Sequence, residues 1–221
     1  MSAHIQSIQR AAAILRLLSG QTRRRALAEL AAELQLPKGT VYGLLRTLQM
    51  VGFVEQDPDS RKYQLGATLL HIGSSYLNGS ELRRRALGSA SALATRSGES
   101  VRIGTLHENQ VLIVHHVPGP DERLAAPEIG KVLPLHATGL GRALLTQGSL
   151  RGWAGDVGEF LPGIASVAAP IEAHDGAVVG AIAVSGPIER ICENGSPQTR
   201  LVDNVIQSAR TISRELGADP W

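Results

Sequence analysis

The sequence predicts an α+β chain in two parts, a basic helical head and a larger body built on an antiparallel sheet. Three observations carry this. Apolar residues recur at helical spacing in three short stretches up to Leu48, then alternate around Asp57-Pro58-Asp59-Ser60. Charge divides at Gly66: nine Lys/Arg against five acids give the head +4, and the remainder carries −2 within a total of +2. Beyond that point, pairs of strand-like runs fold about short turns and lie between amphipathic helices. The expected boundaries are a head at 1–66, a linker helix at 67–79 and a body at 80–221.

In the head, Ile8, Ala11, Leu15 and Leu18 form a first helical stripe that stops at Ser19-Gly20. Leu27, Leu30, Ala31 and Leu34 form a second. Pro37 suits the first turn of a third, which carries Val41, Leu44, Leu45 and Leu48 and ends at Gly52. Only Gln35 and Leu36 separate the second stripe from Pro37, so those helices must pack steeply. Phe53-Val54-Glu55 and Lys62-Tyr63-Gln64-Leu65 then make a hairpin. Three helices and a two-stranded wing are a winged helix-turn-helix.

Such a unit places the outward, N-terminal residues of its second paired helix in the major groove of double-stranded DNA. Here that face carries Lys38, Thr40, Tyr42, Gly43, Arg46 and Thr47. Lys38 opposes the helix macrodipole and so suits an external anion better than it suits the helix. Arg46 fits either a bidentate guanine contact or a phosphate. Arg61 and Lys62 lie at the wing, where phosphate or minor-groove contact is expected. The run Arg23-Arg24-Arg25 reads equally as a backbone contact or a solvated charge cluster. A winged helix used only for protein contacts is the competing reading, and the basic bias weighs against it.

In the body, Leu69, Leu70, Ile72 and Tyr76 suit a connecting helix closed by Asn78-Gly79-Ser80. A helix follows from Glu81 to Gly98, and strand runs Val101–Leu106 and Val111–Val117 flank the turn His107-Glu108-Asn109-Gln110. The Pro- and Gly-rich stretch from Pro118 to Pro134 reads as irregular, with a short helix expected from Ala137 to Leu145. Ile164–Ile171 and Ala177–Val184 form a second hairpin around His174-Asp175-Gly176. Leu201, Val205, Ala209, Ile212 and Leu216 mark a final amphipathic helix.

Composition narrows the function classes. Aromatics at 3% exclude a stacking platform for single-stranded nucleic acid. The lone Cys192 excludes an intrachain disulfide and a cysteine-based zinc cluster and fits a cytoplasmic location. No apolar run approaches the roughly 20 residues that span a bilayer. The stretch Ala11–Leu18, broken by Arg16, does not read as a signal peptide.

The winged helix followed by Leu133-Pro134-Leu135-His136-Ala137-Thr138-Gly139-Leu140-Gly141-Arg142 resembles the IclR family of bacterial transcriptional regulators. So do Arg151-Gly152-Trp153-Ala154-Gly155-Asp156, Gly163-Ile164-Ala165-Ser166-Val167-Ala168-Ala169-Pro170 and Ala181-Ile182-Ala183-Val184-Ser185-Gly186-Pro187. Ile5–Ala12 and Leu112–Val117 look most like the actinobacterial glycerol-operon regulators. The resemblance implies a GAF-like α/β effector-binding domain with an antiparallel sheet, whose pocket controls DNA binding. Carried over position by position, the effector residues are Gly139, Leu140, Asp156, Ile164, Ser166, Ala183 and Ser185. Residue chemistry agrees: Gly139 and Gly141 permit close approach to amide donors that favour a carboxylate or phosphate, and Ser166 and Ser185 add hydroxyls. Implied partners are operator DNA and a small effector (glycerol or glycerol 3-phosphate from the narrower likeness, a small carboxylate from the wider family). A homodimer or dimer of dimers is expected, because one head reads only a half-site. The expected role is repression of a catabolic operon, with activation the alternative, and neither cofactor nor resident metal is expected.

The sequence departs from the family in four places. Ser166 stands where many relatives carry Cys, Ala183 where some carry Ser, and Asp156-Val157-Gly158-Glu159 replaces a run of consecutive acids. The link from Thr146 to Arg151 is a few dozen residues shorter than the family's. Either the domain is shortened there or a mobile loop is missing from the sequence, and the mobility of long functional loops favours the second. The rival class, a hydrolase using His107, His115, His116, His136, Asp156, Ser166 and Ser185, lacks a G-x-S-x-G elbow. His115 and His116, adjacent on a strand, point to opposite faces and cannot share a metal. A metal held by His136 and Asp156 remains the residual alternative.

Overall fold

The computed structural model describes residues 4–20, 22–120, 128–146 and 152–218. The chain divides into two units, Met1–Tyr76 and Leu77–Trp221.

In the first unit, α1 (Gln6–Leu18), α2 (Leu27–Glu33) and α3 (Lys38–Met50) turn their apolar stripes onto one another. Ile14, Leu18, Leu30, Ala31, Val41, Leu45 and Leu48 are buried together with Val54 and Tyr63. Helix α2 has no polar side chain at its N-cap, Ala26. The Glu29 carboxylate supplies half of the usual reciprocal pair by accepting the Ala26 N–H at 2.8 Å. The sharp turn into α3 takes Gln35 to φ +53°, and Pro37 sits at the N-cap, one position before the first turn. Strands β1 (Val54–Gln56) and β2 (Tyr63–Leu65) pair antiparallel with Val54 opposite Leu65. The Asp57 carboxylate secures their turn by accepting both the N–H (2.8 Å) and the hydroxyl (2.7 Å) of Ser60. The wing has a third member: Arg25 and Tyr63 exchange backbone hydrogen bonds of 3.0 and 2.7 Å.

Helix α4 (Thr68–Gly79) buries none of its residues. Leu70, Ile72 and Tyr76 are 75%, 48% and 60% exposed.

In the second unit, α5 (Glu81–Ser97) starts at Ser80, whose hydroxyl accepts the Arg83 N–H at 3.2 Å. It ends at Gly98, whose φ of +71° is the left-handed stop that glycine adopts freely. There follow β3 (Ser100–His107), β4 (Gln110–Val117), β5 (Val132–Pro134), α6 (Gly139–Leu144), β6 (Ala154–Val157), β7 (Ile164–Glu172) and β8 (Val178–Pro187). After them come α7 (Ile188–Ile191), the paired β9 (Cys192–Glu193) and β10 (Ser196–Pro197), and α8 (Thr199–Glu215). The six longer strands form one antiparallel sheet ordered β5-β4-β3-β8-β7-β6.

Strand alternation then sorts the side chains. Val101, Ile103, Ala165, Val167, Ala169, Ile171, Ile182 and Val184 face one way, into a core closed by Leu82, Ala86, Ala90 and Leu93 of α5 and Leu201, Val202, Val205, Ala209 and Ile212 of α8. Ala168, Ala181 and Ala183 face the other way and pack under Leu140, Ala143 and Leu144 of α6. One irregularity interrupts the pairing of β3 with β4. Gly104 opposes Ile113 but Ile103 opposes His115, so Val114 is an extra residue and β4 carries a bulge.

Several elements depart from expectation. The stretch 118–134 is not irregular throughout, because β5 pairs its end with β4. The short strand β6, with Gly155 in its middle, and the β9–β10 pair give no readable alternation in the sequence. Helix α6 starts at Gly139 rather than Ala137, because the Thr138 hydroxyl caps it by accepting the Gly141 N–H at 3.1 Å. The short link between Thr146 and Arg151 falls at 147–151, outside the described residues.

Candidate functional site

On α3, burying Val41, Leu45 and Leu48 leaves the opposite face to solvent. Lys38, Tyr42, Gly43, Arg46 and Thr47 are exposed and Thr40 is half-buried. The Thr47 hydroxyl donates back to the Gly43 carbonyl at 3.2 Å. A Cβ built on Gly39 or Gly43 meets nothing within 4 Å, so nothing inside the head requires either glycine. Gly43, in the helix interior, costs about 1 kcal/mol of helix propensity relative to alanine. On the wing, Arg61 is exposed at φ +56° and Lys62 is half-buried. The arginine run before α2 is partly committed to the head itself. Arg24 pairs with Asp57 at 2.9 Å and reaches Gln64 at 2.9 Å, and Arg25 pairs with Glu33 at 2.8 Å.

The second unit holds a cavity of about 160 Å³ on the α6 side of the sheet. Six of the seven residues named from sequence line it: Leu140, Asp156, Ile164, Ser166, Ala183 and Ser185. Register explains why. Asp156 opposes Ser166, and Ser166 opposes Ser185, so three polar side chains form a row across β6, β7 and β8. Asp156 and Ser166 are buried, and the Ser166 hydroxyl donates to the Asp156 carboxylate.

Gly139 requires a correction. It does not line the cavity, and its N–H already donates to Asp156 Oδ2 at 3.0 Å. With the Gly141 N–H held by Thr138, neither amide is available to an incoming anion. Both glycines serve packing. A Cβ on Gly139 would lie 2.6 Å from Ser166 Oγ, and one on Gly141 would lie 1.8 Å from the Leu135 carbonyl oxygen.

The cavity also includes residues that the sequence reading missed, among them Arg102, Glu128, Thr138, Phe160 and Leu161. Arg102 opposes Ala183 and shares its face of the sheet. Its guanidinium donates to the Glu128 carboxylate and to the Ser185 hydroxyl, and the side chain is 12% exposed. Glu128 also accepts from Lys131 at 2.7 Å. Burial raises the Glu128 pKa, but hydrogen bonds from Lys131 and Arg102 outweigh it and hold the carboxyl below its ordinary value. A signal for Arg102 was present, since it is the one charged residue in the apolar run from Val101 to Leu106. Phe160 and Leu161 lie in a loop between Gly158 and Gly163, where no periodicity points anywhere. Beside that loop, Arg142 bonds the carbonyls of His136 (3.1 Å) and Gly155 (2.8 Å) and pairs with Glu159.

His116 opposes Arg102 on the cavity side, and His115 opposes Ile103 on the helix side. Both ring nitrogens of His115 are buried without a hydrogen-bond partner. Burial, then the charge of Arg83 and the neighbouring His116 ring, lower its pKa. Among the described residues no three His, Cys, Asp or Glu side chains gather as a metal-binding group, and no helix is long and apolar enough to cross a membrane.

Comparison with known proteins reports on both units. The family described as the IclR helix-turn-helix domain matches residues 7–58. The family described as the bacterial transcriptional regulator IclR C-terminal matches 74–150 and again 145–214. Glycerol operon regulatory proteins of Streptomyces griseus and Streptomyces coelicolor are each 45% identical to the chain over 251 aligned positions, covering 99% of it and 99% of themselves. That alignment is longer than the 221 residues of the chain, so these relatives carry a segment it lacks. The C-terminal match breaks where the sequence is short, at 145–150. An IclR-family transcriptional regulator from Brucella abortus superposes with a TM-score of 0.82 at 22% identity, covering 96% of this chain and 92% of that one, which establishes a shared fold.

Proposed function

We propose that this chain, which belongs to the IclR family of bacterial transcriptional regulators, represses a glycerol-catabolic operon and releases its operator when a small polyol, free or phosphorylated, binds the cavity beneath α6. Membership makes the chain a DNA-binding transcriptional regulator and not an enzyme. The observation that carries the pathway is the 45% identity, over nearly the whole of both chains, to the two Streptomyces glycerol operon regulatory proteins. The cavity supports the effector class. At about 160 Å³ it is close to the 150 Å³ or so that holds one benzene, a six-heavy-atom ligand like glycerol. Leu133, Leu140, Phe160 and Ile164 offer apolar contact, while Asp156, Ser166, Ser185 and Thr138 offer hydrogen bonds to hydroxyls.

The reading surface is the outward face of α3, with Lys38, Thr40, Tyr42, Gly43 and Arg46, together with Arg61 and Lys62 on the wing. Two heads are needed for a two-fold operator, and the exposed Leu70, Ile72 and Tyr76 of α4 suit a contact between copies in a cytoplasmic homodimer or dimer of dimers. Helix α4 then serves as the link between head and body, and an effector acts through its differential affinity for the two head spacings.

The test is a gel shift on the intergenic DNA upstream of the chain's own gene, titrated with glycerol and glycerol 3-phosphate. Binding is expected without ligand, with release by one of the two, and Arg46→Ala is expected to abolish binding while the fold persists. Failure of both ligands to release the DNA at millimolar concentration refutes the effector. Normal binding by Arg46→Ala refutes the reading surface.

A further inference from the structure

We propose that Glu128 is a built-in competitor for the Arg102 guanidinium, and that this competition sets how the cavity ranks uncharged against anionic ligands. The proposal rests on the reading that the cavity takes a small polyol. Arg102 projects from the middle of β3, and among the described residues its guanidinium is the cation of the lining, beside the two carboxylates of Glu128 and Asp156. A partly buried guanidinium needs a counter-charge, and Glu128, at 18% exposure, supplies it. Glu128 also draws in Lys131, so two cations near the cavity converge on one carboxylate.

This has a chemical consequence. A phosphomonoester or carboxylate binds best to a guanidinium fork that is open to it. Here Glu128 accepts from Nε and Ser185 from Nη1 of that fork, and among the described residues the lining carries one negative charge more than positive. An anion must therefore displace Glu128 or be repelled by it. An uncharged polyol need do neither, because its hydroxyls can donate to Asp156 and exchange hydrogen bonds with Ser166, Ser185 and Thr138. Glu128 thus stands where the charged group of an anionic effector would go.

The experiment measures the affinities of glycerol and glycerol 3-phosphate for the full chain by calorimetry, in the wild type, in Glu128→Gln and in Glu128→Gln combined with Arg102→Gln. The readout is the ratio of the two affinities, which a general loosening of the cavity does not move. Removing the competing charge is expected to raise the preference for glycerol 3-phosphate over glycerol at least about tenfold in Glu128→Gln. The double variant is expected to lose that gain. Thermal melting checks the fold, and Glu128→Ala serves as a second variant with the same expected direction. A ratio unchanged in both Glu128 variants overturns the proposal and leaves the polyol reading standing. A gain that survives in the double variant also overturns it, since the anion would then not be using Arg102. If neither ligand binds any of the proteins, the polyol reading falls and takes the proposal with it.

Discussion

Gly43 offers a clean separation of stability from recognition. It lies in the interior of α3, it is exposed, and an added Cβ meets nothing within 4 Å. Gly43→Ala therefore gains the helix-propensity difference of about 1 kcal/mol without a steric penalty, part of it by restricting the unfolded chain. A head that carries such a glycine forgoes stability that a single methyl would restore, and the natural reason is an external surface that comes too close for that methyl. Chemical denaturation followed by circular dichroism is expected to show the head stabilised by about 1 kcal/mol. A gel shift at fixed salt is expected to show operator affinity reduced by about tenfold, equivalent to roughly 1.4 kcal/mol. Unchanged operator affinity in the stabilised variant would show that DNA does not approach α3 at this turn and would refute the assignment. A destabilised variant would show instead that position 43 is not open in the free protein.

Further outcomes concern the body and the wing. His115 has a folded pKa below its ordinary 6.5, so the unfolded chain binds more protons and stability is lost as pH falls below that value; a melting series from pH 7.5 to 5.5 should show this loss diminished in His115→Leu. Asp57 has a folded pKa held below the ordinary carboxylate value, first by the Ser60 hydroxyl and then by the Ser60 N–H. Its contribution to the wing is present above that value and fades as pH falls through it, so Asp57→Asn should reduce the acid sensitivity of the head in hydrogen exchange. Gly141→Ala drives a methyl into the Leu135 carbonyl and should destabilise the body by about 1–3 kcal/mol, whereas Gly98→Ala should show only the cost of its left-handed φ.

The head was readable because α1 and α3 announce themselves twice, by an apolar stripe and by a stop or start residue such as Gly20, Pro37 or Gly52, and α2 by its stripe between them. The strands β7 and β8 were readable for a related reason: a long alternation, buried on both faces, leaves Ser166 and Ser185 as the polar exceptions that mark the cavity wall. What escaped was short or set by distant partners. Strand β5 has three residues and exists because β4 offers it an edge, and β6 holds Asp156 in line with Ser166 through pairing that no local pattern encodes. The arginine run before α2 reads equally as a DNA-backbone contact or a solvated charge cluster until Asp57 and Glu33 are seen to hold two of its members. Gly139 and Gly141 were recognised as close-approach positions, but what approaches them is the chain itself. Asp156 takes the amide that the sequence reading reserved for a ligand, a contact made only once β6 is folded against α6.

Val114, the extra residue in β4, resets the parity of everything after it in that strand. In an unbulged pairing of the same sequence, Gly104 against Ile113 would be followed by Ile103 against Val114 and Arg102 against His115. The imidazole of His115 would then stand beside the Arg102 guanidinium on the cavity wall, and His116 would turn under the helices opposite Val101. The two neighbouring histidines face opposite sides of the sheet in either register, and the bulge decides which of them meets the cavity. One imidazole is turned toward the helices with both ring nitrogens buried and without a partner, and the other stands opposite the cation of the cavity. Deleting Val114 would close the bulge and leave both histidines on the faces they now occupy, whereas a register that kept Val114 without a bulge would exchange them.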